Sequence, residues 1–510
     1  MKYQEDYIFW RLAYFLINNQ EYRIIQLSKD QNELWLEKTE NKKYPLIRLL
    51  RYDLDWSNWM QRDIERTAIN GENIRKQVSR REMNVLNVYV SAFVPVDDYE
   101  YIIQKPFDHP RLKKIKVDSL LVSRQSYRDV IHRIENLFDD SINLNEKDEF
   151  HEEEIEQLKQ VTLTKAVNRI KTEKALFEFG KPFFTYFFIA IQVIVFLLLE
   201  LNGGSTNTST LIQFGAKFNP LIIEGEWWRF LSPIVLHIGI FHLLMNTLAL
   251  YFLGTAVEKI YGNSRFLFIY LIAGFCGSVA SFIFSPNLSA GASGAIFGCF
   301  GALLYFGLIY PKLFFRTMGA NILVVLAINL SFGFTIPGID NAGHIGGLIG
   351  GFLATGIVHF PKKKKVLLQS LFFLLTIGIT SGLLVFGYNN PSAIVDEQSI
   401  FVMAQEHIQS EEYEKAYSLL IEYMDSNEQS AELYFLLSYV EIKQDKIDDA
   451  KENLLKVIEI KPSFHEAHYN LALVYLEQQD LEEAKKYANQ AVELKPKQSD
   501  YVELLKRLDR

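Results

Sequence analysis

The chain has 510 residues, too many for one ordinary domain, so two to four structural units are expected. Hydrophobic residues make up 49% of the chain, aromatic residues 14% and charged residues 22%, with a formal net charge of −8, but these classes are distributed very unevenly. Both cysteines, Cys276 and Cys299, fall inside apolar stretches, which excludes a disulfide framework holding the soluble parts together.

The first part of the chain, residues 1–138, has the mixed pattern of a soluble domain. Strand-like runs cover Tyr22–Leu27 and Glu33–Glu37, and a helical pattern covers Trp56–Ile69, which predicts an α/β or α+β fold. No cleavage site follows an apolar run near the start, so we expect an uncleaved, cytosolic amino terminus. No catalytic motif is recognisable here, and the cytosolic partner of this domain is unknown. An acidic linker and helix are predicted over residues 139–181.

A membrane domain is predicted over residues 182–388, where long apolar stretches recur. Each stretch has roughly 17 to 23 residues, about the length of a helix that crosses a bilayer core. The protein is therefore expected to be mainly α-helical, with a polytopic bundle of seven spans. The predicted spans are Phe183–Leu199, Phe241–Val257, Phe266–Phe284, Ser293–Tyr310, Ala320–Ile336, Ala342–Phe360 and Val366–Tyr388.

The orientation of these spans follows from the basic residues in their loops, because short cytoplasmic loops are enriched in Lys and Arg. Alternate loops hold clusters of basic residues and are assigned to the cytoplasm: Lys259, Arg265, Lys312, Arg316, Lys362, Lys363, Lys364 and Lys365. The intervening loops hold Lys217 and Arg229. Seven spans then give a multi-pass protein of the cell membrane with a cytoplasmic amino terminus and an extracellular carboxyl terminus.

The segment 396–510 is a predicted extracellular helical domain with a period of 34 residues. Small residues recur at two positions of the period and proline at a third: Ala404, Ser438 and Ala472; Ala416, Ala450 and Ala484; Pro462 and Pro496. Small side chains let paired helices pack closely, and the pattern resembles tetratricopeptide repeats with a capping helix at Ser499–Leu508. The segment has 25 acidic and 13 basic residues, so an anionic lipid surface would repel it. A protein or peptide ligand is expected, since stacked repeats offer extended concave surfaces.

Polar side chains within apolar stretches are costly and usually mark function or hydrogen bonds between helices. The notable ones are His237, His242, Asn246, Ser293 and His344, with Glu258 at a cytoplasmic helix end. Their small number makes them the most informative residues of the chain.

Ser293 begins the fourth stretch and His344 lies near the start of the sixth, so the predicted topology places both at the same outer depth. Each alone has an ordinary explanation, because serine among glycines is usually a packing residue and a histidine can form a hydrogen bond between helices. Gly294 and Gly347 each begin a pair of glycines four residues apart, a spacing that permits close helix approach. Close approach is what a serine–histidine hydrogen bond requires.

Several motifs occur in the order found in the rhomboid family of intramembrane serine proteases, which the chain resembles over Phe183–Phe360. These motifs are Glu226-Trp227-Trp228-Arg229, His237, His242-xxx-Asn246, Glu258, Gly291-Ala292-Ser293-Gly294 and Gly343-His344-Ile345-Gly346-Gly347. The seventh stretch fits the variant of the family that adds a helix after a six-span core. The resemblance implies hydrolysis of a peptide bond in or beside the transmembrane helix of another membrane protein, near the outer face. No metal, cofactor or nucleic-acid partner is expected.

The resemblance also implies a role for each main residue of the site. Ser293 would attack the peptide carbonyl, and His344 would take its proton and return it to the leaving amine, with no acid completing a triad. His242 and Asn246 share a helix face, and both would donate to the oxyanion together with the backbone N–H of Ser293. Phe297, four residues after the serine, would pack on the ring of His344, where the family usually has Tyr.

Further residues are expected to support this site: His237, Phe297, Gly291, Gly294, Gly347, Trp228 and Arg229. His237 is assigned to the outer loop and cavity, because a spacing of five from His242 does not place both on one helix face. Trp228 and Arg229 are expected at the membrane interface, where aromatic and basic side chains anchor.

Two other classes of function compete with proteolysis. A catalytically silent rhomboid-like adaptor would recruit partners through its soluble domains, but the intact serine and histidine argue against it. Transport fits poorly, because no acidic residue or lysine lies mid-span to couple ions.

Overall fold

The structure, a computed structural model, describes residues 3–77, 82–144, 150–336, 338–426 and 430–509. Two compact units divide the chain, Met1–Leu176 and Phe177–Arg510. Part of the predicted acidic linker, residues 145–149, lies outside the described residues. The second unit contains both the apolar helices and the C-terminal helices.

The first unit is a mixed β-sheet with helices on both faces. Its strands are β1 Arg23–Leu27, β2 Glu33–Glu37, β3 Leu46–Arg51, β4 Met83–Val90, β5 Phe107–Asp108 and β6 Ile115–Val122, and its helices are α1 Gln4–Tyr14, α2 Ser57–Gln77, α3 Glu100–Ile103, α4 Tyr127–Phe138 and α5 Glu152–Phe177. The strand order is β1-β2-β3-β4-β6-β5, with β3, β4 and β6 parallel and the other neighbours antiparallel. Side chains alternate between the two faces of a strand, so Leu34 and Leu36 join one core and Trp35 the other. The sheet confirms the predicted α/β character of this region.

The second unit begins with apolar helices at all seven predicted positions. Its helices up to the repeats are α6 Phe184–Leu201, α7 Thr208–Gln213, α8 Asn219–Ile223, α9 Gly239–Ala249, α10 Thr255–Tyr261, α11 Asn263–Phe284, α12 Ser293–Ile309, α13 Pro311–Thr317, α14 Gly319–Thr335, α15 Asn341–Val358, α16 Val366–Asn389 and α17 Pro391–Ile394. A π-helical turn, Leu250–Gly254, joins α9 to α10 into one continuous helix.

Five of these helices, within the described residues, are long and apolar enough to cross a membrane: Phe184–Leu201, Gly239–Tyr261, Asn263–Phe284, Asn341–Val358 and Val366–Asn389. The bent pair α13 and α14, with an angle of 74°, would count as a sixth span. The remaining apolar helix, α12, has 17 residues. The helix positions match the sequence pattern, whereas the count of seven spans stays a prediction.

A buried carboxylate joins the first two apolar helices. Glu258 in α10 accepts hydrogen bonds from the backbone N–H groups of Phe183, Phe184 and Thr185 at 2.8–2.9 Å, and from Thr185 Oγ1 at 2.7 Å. The first N–H groups of a helix have no partner within it, and negative charge is favoured there. Glu258 therefore caps the amino end of α6 from a neighbouring helix.

Glycines bring α12 and α15 into backbone contact. A Cβ atom added at Gly347 would overlap the backbone of Gly294, and one added at Gly351 would overlap that of Gly298. Helix α11 packs against both, and a Cβ at its Gly277 would lie 2.8 Å from the carbonyl oxygen of Gly343. The predicted close approach of the two helices is confirmed.

The C-terminal helices repeat in pairs. They are α18 Glu397–Gln409, α19 Tyr413–Ser426, α20 Ala431–Lys443, α21 Ile447–Ile460, α22 His465–Glu477, α23 Leu481–Leu494 and α24 Ser499–Leu508. The small residues predicted to lie where helices pack are fully buried: Ala404, Ser438, Ala472, Ala416, Ala450 and Ala484. Three helix pairs and a capping helix thus reproduce the predicted repeats.

Replacing Glu258 by Gln should lower the unfolding midpoint of the membrane part of the chain. The amide has one acceptor oxygen for four donors, and an amide N–H₂ would face backbone N–H groups, so we expect a loss of about 3 kcal/mol. Thermal unfolding in detergent, followed by circular dichroism, measures this. The control is Glu224→Gln, at an exposed position, whose midpoint should equal that of the wild type. Equal midpoints for all three proteins would contradict the capping role.

Candidate active site

Ser293 and His344 lie at the same end of two helices in contact. Ser293 is the first residue of α12, and His344 is in the first turn of α15, whose amino end is capped by Asp340 through a 2.8 Å hydrogen bond from the backbone N–H of Gly343. The backbone contact between Gly294 and Gly347 lies one residue beyond the serine and three beyond the histidine. The fold therefore brings the helix ends that carry Ser293 and His344 close together.

No hydrogen bond joins Ser293 to His344 in the part of the chain that the structure describes, and His344 Nδ1 is buried without a partner. Hydrogen bonds between catalytic groups are often long without substrate and tighten when substrate binds. Without a carboxylate on Nδ1, the ring is held by packing alone.

That packing comes from Phe297, one helical turn after the serine. Its ring stacks on the ring of His344 with centroids 4.2 Å apart and an interplanar angle of 10°. Phe297 is itself buried, so it cannot swing away without disturbing the core. The stack agrees with the packing contact expected from the sequence, and the missing hydroxyl means that shape alone orients the imidazole.

Gly291 places the segment before Ser293 against the ring of His242. Its φ of +147° lies in a region that favours glycine, and a Cβ there would be 2.8 Å from His242 Cε1 and 3.0 Å from Nε2. Any larger residue would push the ring away. His242 therefore lies within reach of the backbone that leads to the serine.

His242 and Asn246 lie one turn apart on α9. His242 Nδ1 accepts a 3.4 Å hydrogen bond from the backbone N–H of Ile238, so the neutral ring carries its proton on Nε2, the atom beside Gly291. Asn246 is buried and donates one amide hydrogen to the carbonyl of His242 at 3.0 Å, which leaves its second amide hydrogen for another acceptor. Both side chains thus have a donor hydrogen available, and that of His242 lies next to the serine segment.

His237 lies just before α9 and is fully buried. Its ring contacts that of His242 edge-on, with centroids 5.4 Å apart, and its Nε2 accepts from the backbone N–H of Ala292 at 3.5 Å. Burial, reinforced by His242, lowers the pKa of His237 to about 3, so the ring is neutral and able to accept. The helix-face argument from the sequence does not apply, because His237 is outside the helix.

The position of Arg229 at the membrane interface stays a prediction, but its side chain makes contacts within the protein. Its side chain is buried, with Nε 2.5 Å from Glu226 Oε2 and one terminal nitrogen donating to the carbonyls of Ile212 and Ala216 at 2.8 and 2.9 Å. The guanidinium is paired with a carboxylate and hydrogen-bonded to two carbonyls, so it stabilises the loop that follows α7. Trp228, by contrast, is 46% exposed, as an interfacial anchor requires.

Sequence reasoning missed Lys217, which it counted only as a loop charge. The side chain is fully buried, and Nζ donates to the carbonyls of Ser285 and Asn287 at 2.6 and 3.0 Å. A single lysine in a loop carries no signal for such a contact.

Among the described ranges, no group of three or more His, Cys, Asp or Glu side chains is arranged to hold a metal ion.

Comparison with known proteins gives two family matches, the rhomboid domain over residues 224–361 and the tetratricopeptide repeat over residues 442–508. The chain is 45% identical over 434 residues to the rhomboid protease GluP of Bacillus subtilis (strain 168), covering 85% of this chain and 84% of that protein. It is 32% identical over 185 residues to the putative rhomboid protease YdcA of the same bacterium, covering 35% of this chain and 90% of that protein. RHOMBOID-like protein 4 of Arabidopsis thaliana is 43% identical over 148 residues, which are 28% of this chain and 37% of that protein.

One solved structure, the first TPR of Spaghetti (RPAP3) bound to an HSP90 peptide, is 19% identical and covers 22% of this chain and 94% of its own. The TM-score of 0.22 is too low to support an argument.

Several helices long and apolar enough to cross a membrane are those of a multi-pass membrane protein. The identity to a rhomboid protease extends over most of both chains. The chain belongs to the rhomboid family, and it is a serine intramembrane protease that also carries tetratricopeptide repeats.

Replacing Gly347 by Ala should reduce proteolysis while leaving a folded protein. The methyl group would force α15 away from Gly294 and so separate the two helix ends that carry Ser293 and His344, and we expect at least about a tenfold loss of kcat/KM. Gly378→Ala is the matched control, because a Cβ there has no neighbour within 4 Å. Equal activity of the two variants against a single-span substrate would contradict the account.

Proposed function

We propose that the protein cleaves transmembrane helices of other membrane proteins by a dyad in which Ser293 is the nucleophile and His344 the general base. The observation that carries this proposal is the glycine contact between α12 and α15, with the ring of His344 stacked on Phe297. It supports a site that combines the hydroxyl and the imidazole in a membrane helix bundle, where an unused histidine would be costly.

In the proposed reaction, His344 takes the proton of Ser293 as its Oγ attacks the scissile carbonyl carbon. A tetrahedral intermediate forms, and the same imidazolium returns the proton to the leaving amine as the C–N bond breaks. Water then attacks the carbonyl carbon of the acyl-enzyme while His344 takes its proton. The ester bond breaks, and the proton passes from His344 to Ser293 Oγ, which regenerates the serine. The ring works without an aspartate, because the stack on Phe297 fixes its plane.

The negative oxygen of the intermediate would be held by His242 and Asn246 with the backbone N–H of Ser293. Both side chains lie on α9 with a donor hydrogen available, and the ring of His242 lies against Gly291. His237 would support this arrangement by fixing His242 and the backbone of Ala292.

A helical substrate must unwind before cleavage, because its carbonyls are hydrogen-bonded within the helix. We therefore propose preference for small residues in a segment that unwinds easily. The basic loops support a site near the outer face, with the amino terminus cytoplasmic and the carboxyl terminus extracellular.

The soluble parts would select partners. We propose a cytosolic domain over residues 1–138, a linker and helix over 139–181, a membrane domain over 182–388 and an extracellular repeat domain over 396–510. The repeats would bind a protein or peptide, since their acidic composition disfavours an anionic lipid surface.

Ser293→Ala and His344→Ala should each lower cleavage of a single-span substrate by at least about a thousandfold, because neither group can act alone. The matched control is Ser281→Ala, which removes a buried hydroxyl that has no hydrogen-bond partner and should leave activity unchanged. Product formation in proteoliposomes is the measurement. Undiminished cleavage by either variant would rule out the dyad, whereas a folded wild type that cleaves no substrate would favour a silent adaptor.

Asn246→Ala should lower kcat about a hundredfold with little change in KM, because the oxyanion exists in the transition state and not in bound substrate. The neighbouring Thr247→Ala is the control, since its hydroxyl is buried without a partner. Steady-state kinetics distinguish the outcomes. A change confined to KM would show that Asn246 binds substrate instead.

A further inference from the structure

The stretch that joins α11 to Ser293, residues 285–292, belongs to no helix or sheet of its own. Buried backbone groups without partners are costly, so contacts from outside must hold it. One such contact is an isolated antiparallel bridge, in which Lys217 and Ser289 exchange backbone hydrogen bonds of 2.8 and 3.0 Å. A second is the bond from the N–H of Gly291 to the carbonyl of Pro233 at 2.9 Å.

The side chain of Lys217 also holds residues 285–292 in place. Its buried Nζ donates to the carbonyls of Ser285 and Asn287, which no helix satisfies. Burial lowers the pKa of Lys217 to about 7, while the carboxylates of Asp340 and Asp396 favour its charged form. Asp340 caps the amino end of α15, which carries His344. Asp396 caps the amino end of α18, the first repeat helix.

Asn219 extends this contact in two directions. Its Nδ2 donates to the carbonyl of Phe282 near the end of α11 at 3.1 Å and to that of Ile394 at 2.5 Å. Ile394 ends α17, three residues before the first residue of α18. One amide therefore links the base of the serine segment to the entry of the repeat domain.

The first repeat helix also packs on the same loop. Met403 of α18 lies in a buried cluster with Ile212 and Phe218, and Ser399 Oγ donates to the carbonyl of Pro286 at 3.4 Å. Phe218 stands between Lys217 and Asn219 in sequence, so three consecutive residues contact the serine segment and the repeats together.

We propose that Lys217, Phe218 and Asn219 are positioning residues for Ser293. The same three residues couple the position of Ser293 to the packing of α18 on the loop. They touch neither substrate nor reacting atoms. A protein or peptide that binds the repeats and shifts α18 would thereby change the rate of cleavage. The inference rests on the proposed role of Ser293.

Lys217→Met tests the positioning role in the full-length protein, because it keeps the apolar stem and removes the donors. We expect kcat to fall about tenfold or more with KM within about twofold, and the rate of labelling by a fluorophosphonate serine probe to fall in parallel. Glu258→Gln is the control for stability alone. Below the unfolding temperature of both variants, it should be labelled at the wild-type rate.

A wild-type kcat and labelling rate for Lys217→Met would overturn the inference. The inference would also be overturned if Lys217→Met and Glu258→Gln, compared at equal folded fraction, lost the same share of kcat and of the labelling rate. Lys217 would then contribute to stability only. A probe adduct that maps in the wild type to a residue other than Ser293 would overturn the proposed function, and the inference with it. Peptide mapping of the adduct therefore separates the two failures.

The coupling to α18 has its own test in a pair of buried methionines of the first repeat. Met403 contacts the loop, whereas Met424 lies in the core between the first repeat's own helices. We expect Met403→Ser to lower kcat about threefold more than Met424→Ser does, and Met403→Leu to restore it. Equal effects of the two serine variants would overturn the coupling.

Discussion

The backbone contact between α12 and α15 is the constraint on which the rest of the site depends. Gly294 and Gly347 allow the two helices to approach until their backbones touch, and no side chain separates them. In a membrane, helix association gains little from the hydrophobic effect, so close van der Waals contact is a main source of cohesion. The same contact that holds the bundle together also sets Ser293 beside His344.

Other interactions hold the surrounding parts of the bundle. Glu258 caps α6 at one end of the bundle, and the stack of Phe297 on His344 fixes the imidazole at the other. Lys217 donates to carbonyls of the serine segment, and Arg229 donates to carbonyls at the end of α7 and in the loop after it. Buried charges are costly unless they are hydrogen-bonded, and here both are.

Much of this could be predicted from the sequence, because it depends on local patterns. Helix periodicity and length placed the apolar helices to within a few residues, and glycine spacing predicted the contact between α12 and α15. The 34-residue period predicted the repeats. The burial of Arg229 and Lys217 could not be predicted, because their partners are carbonyls far along the chain with no side-chain signature. The strand order of the first unit could not be predicted either, because it depends on pairing between residues far apart in the sequence.

The most direct measurement of the central claim is an experimental structure of the protein bound covalently to a phosphonate inhibitor. We expect a bond from phosphorus to Ser293 Oγ and a phosphonyl oxygen within hydrogen-bond distance of His242 and Asn246. The His344 ring should still stack on Phe297 beside the serine oxygen. An adduct on another residue, or a His344 ring turned away from Ser293 in that complex, would contradict the claim.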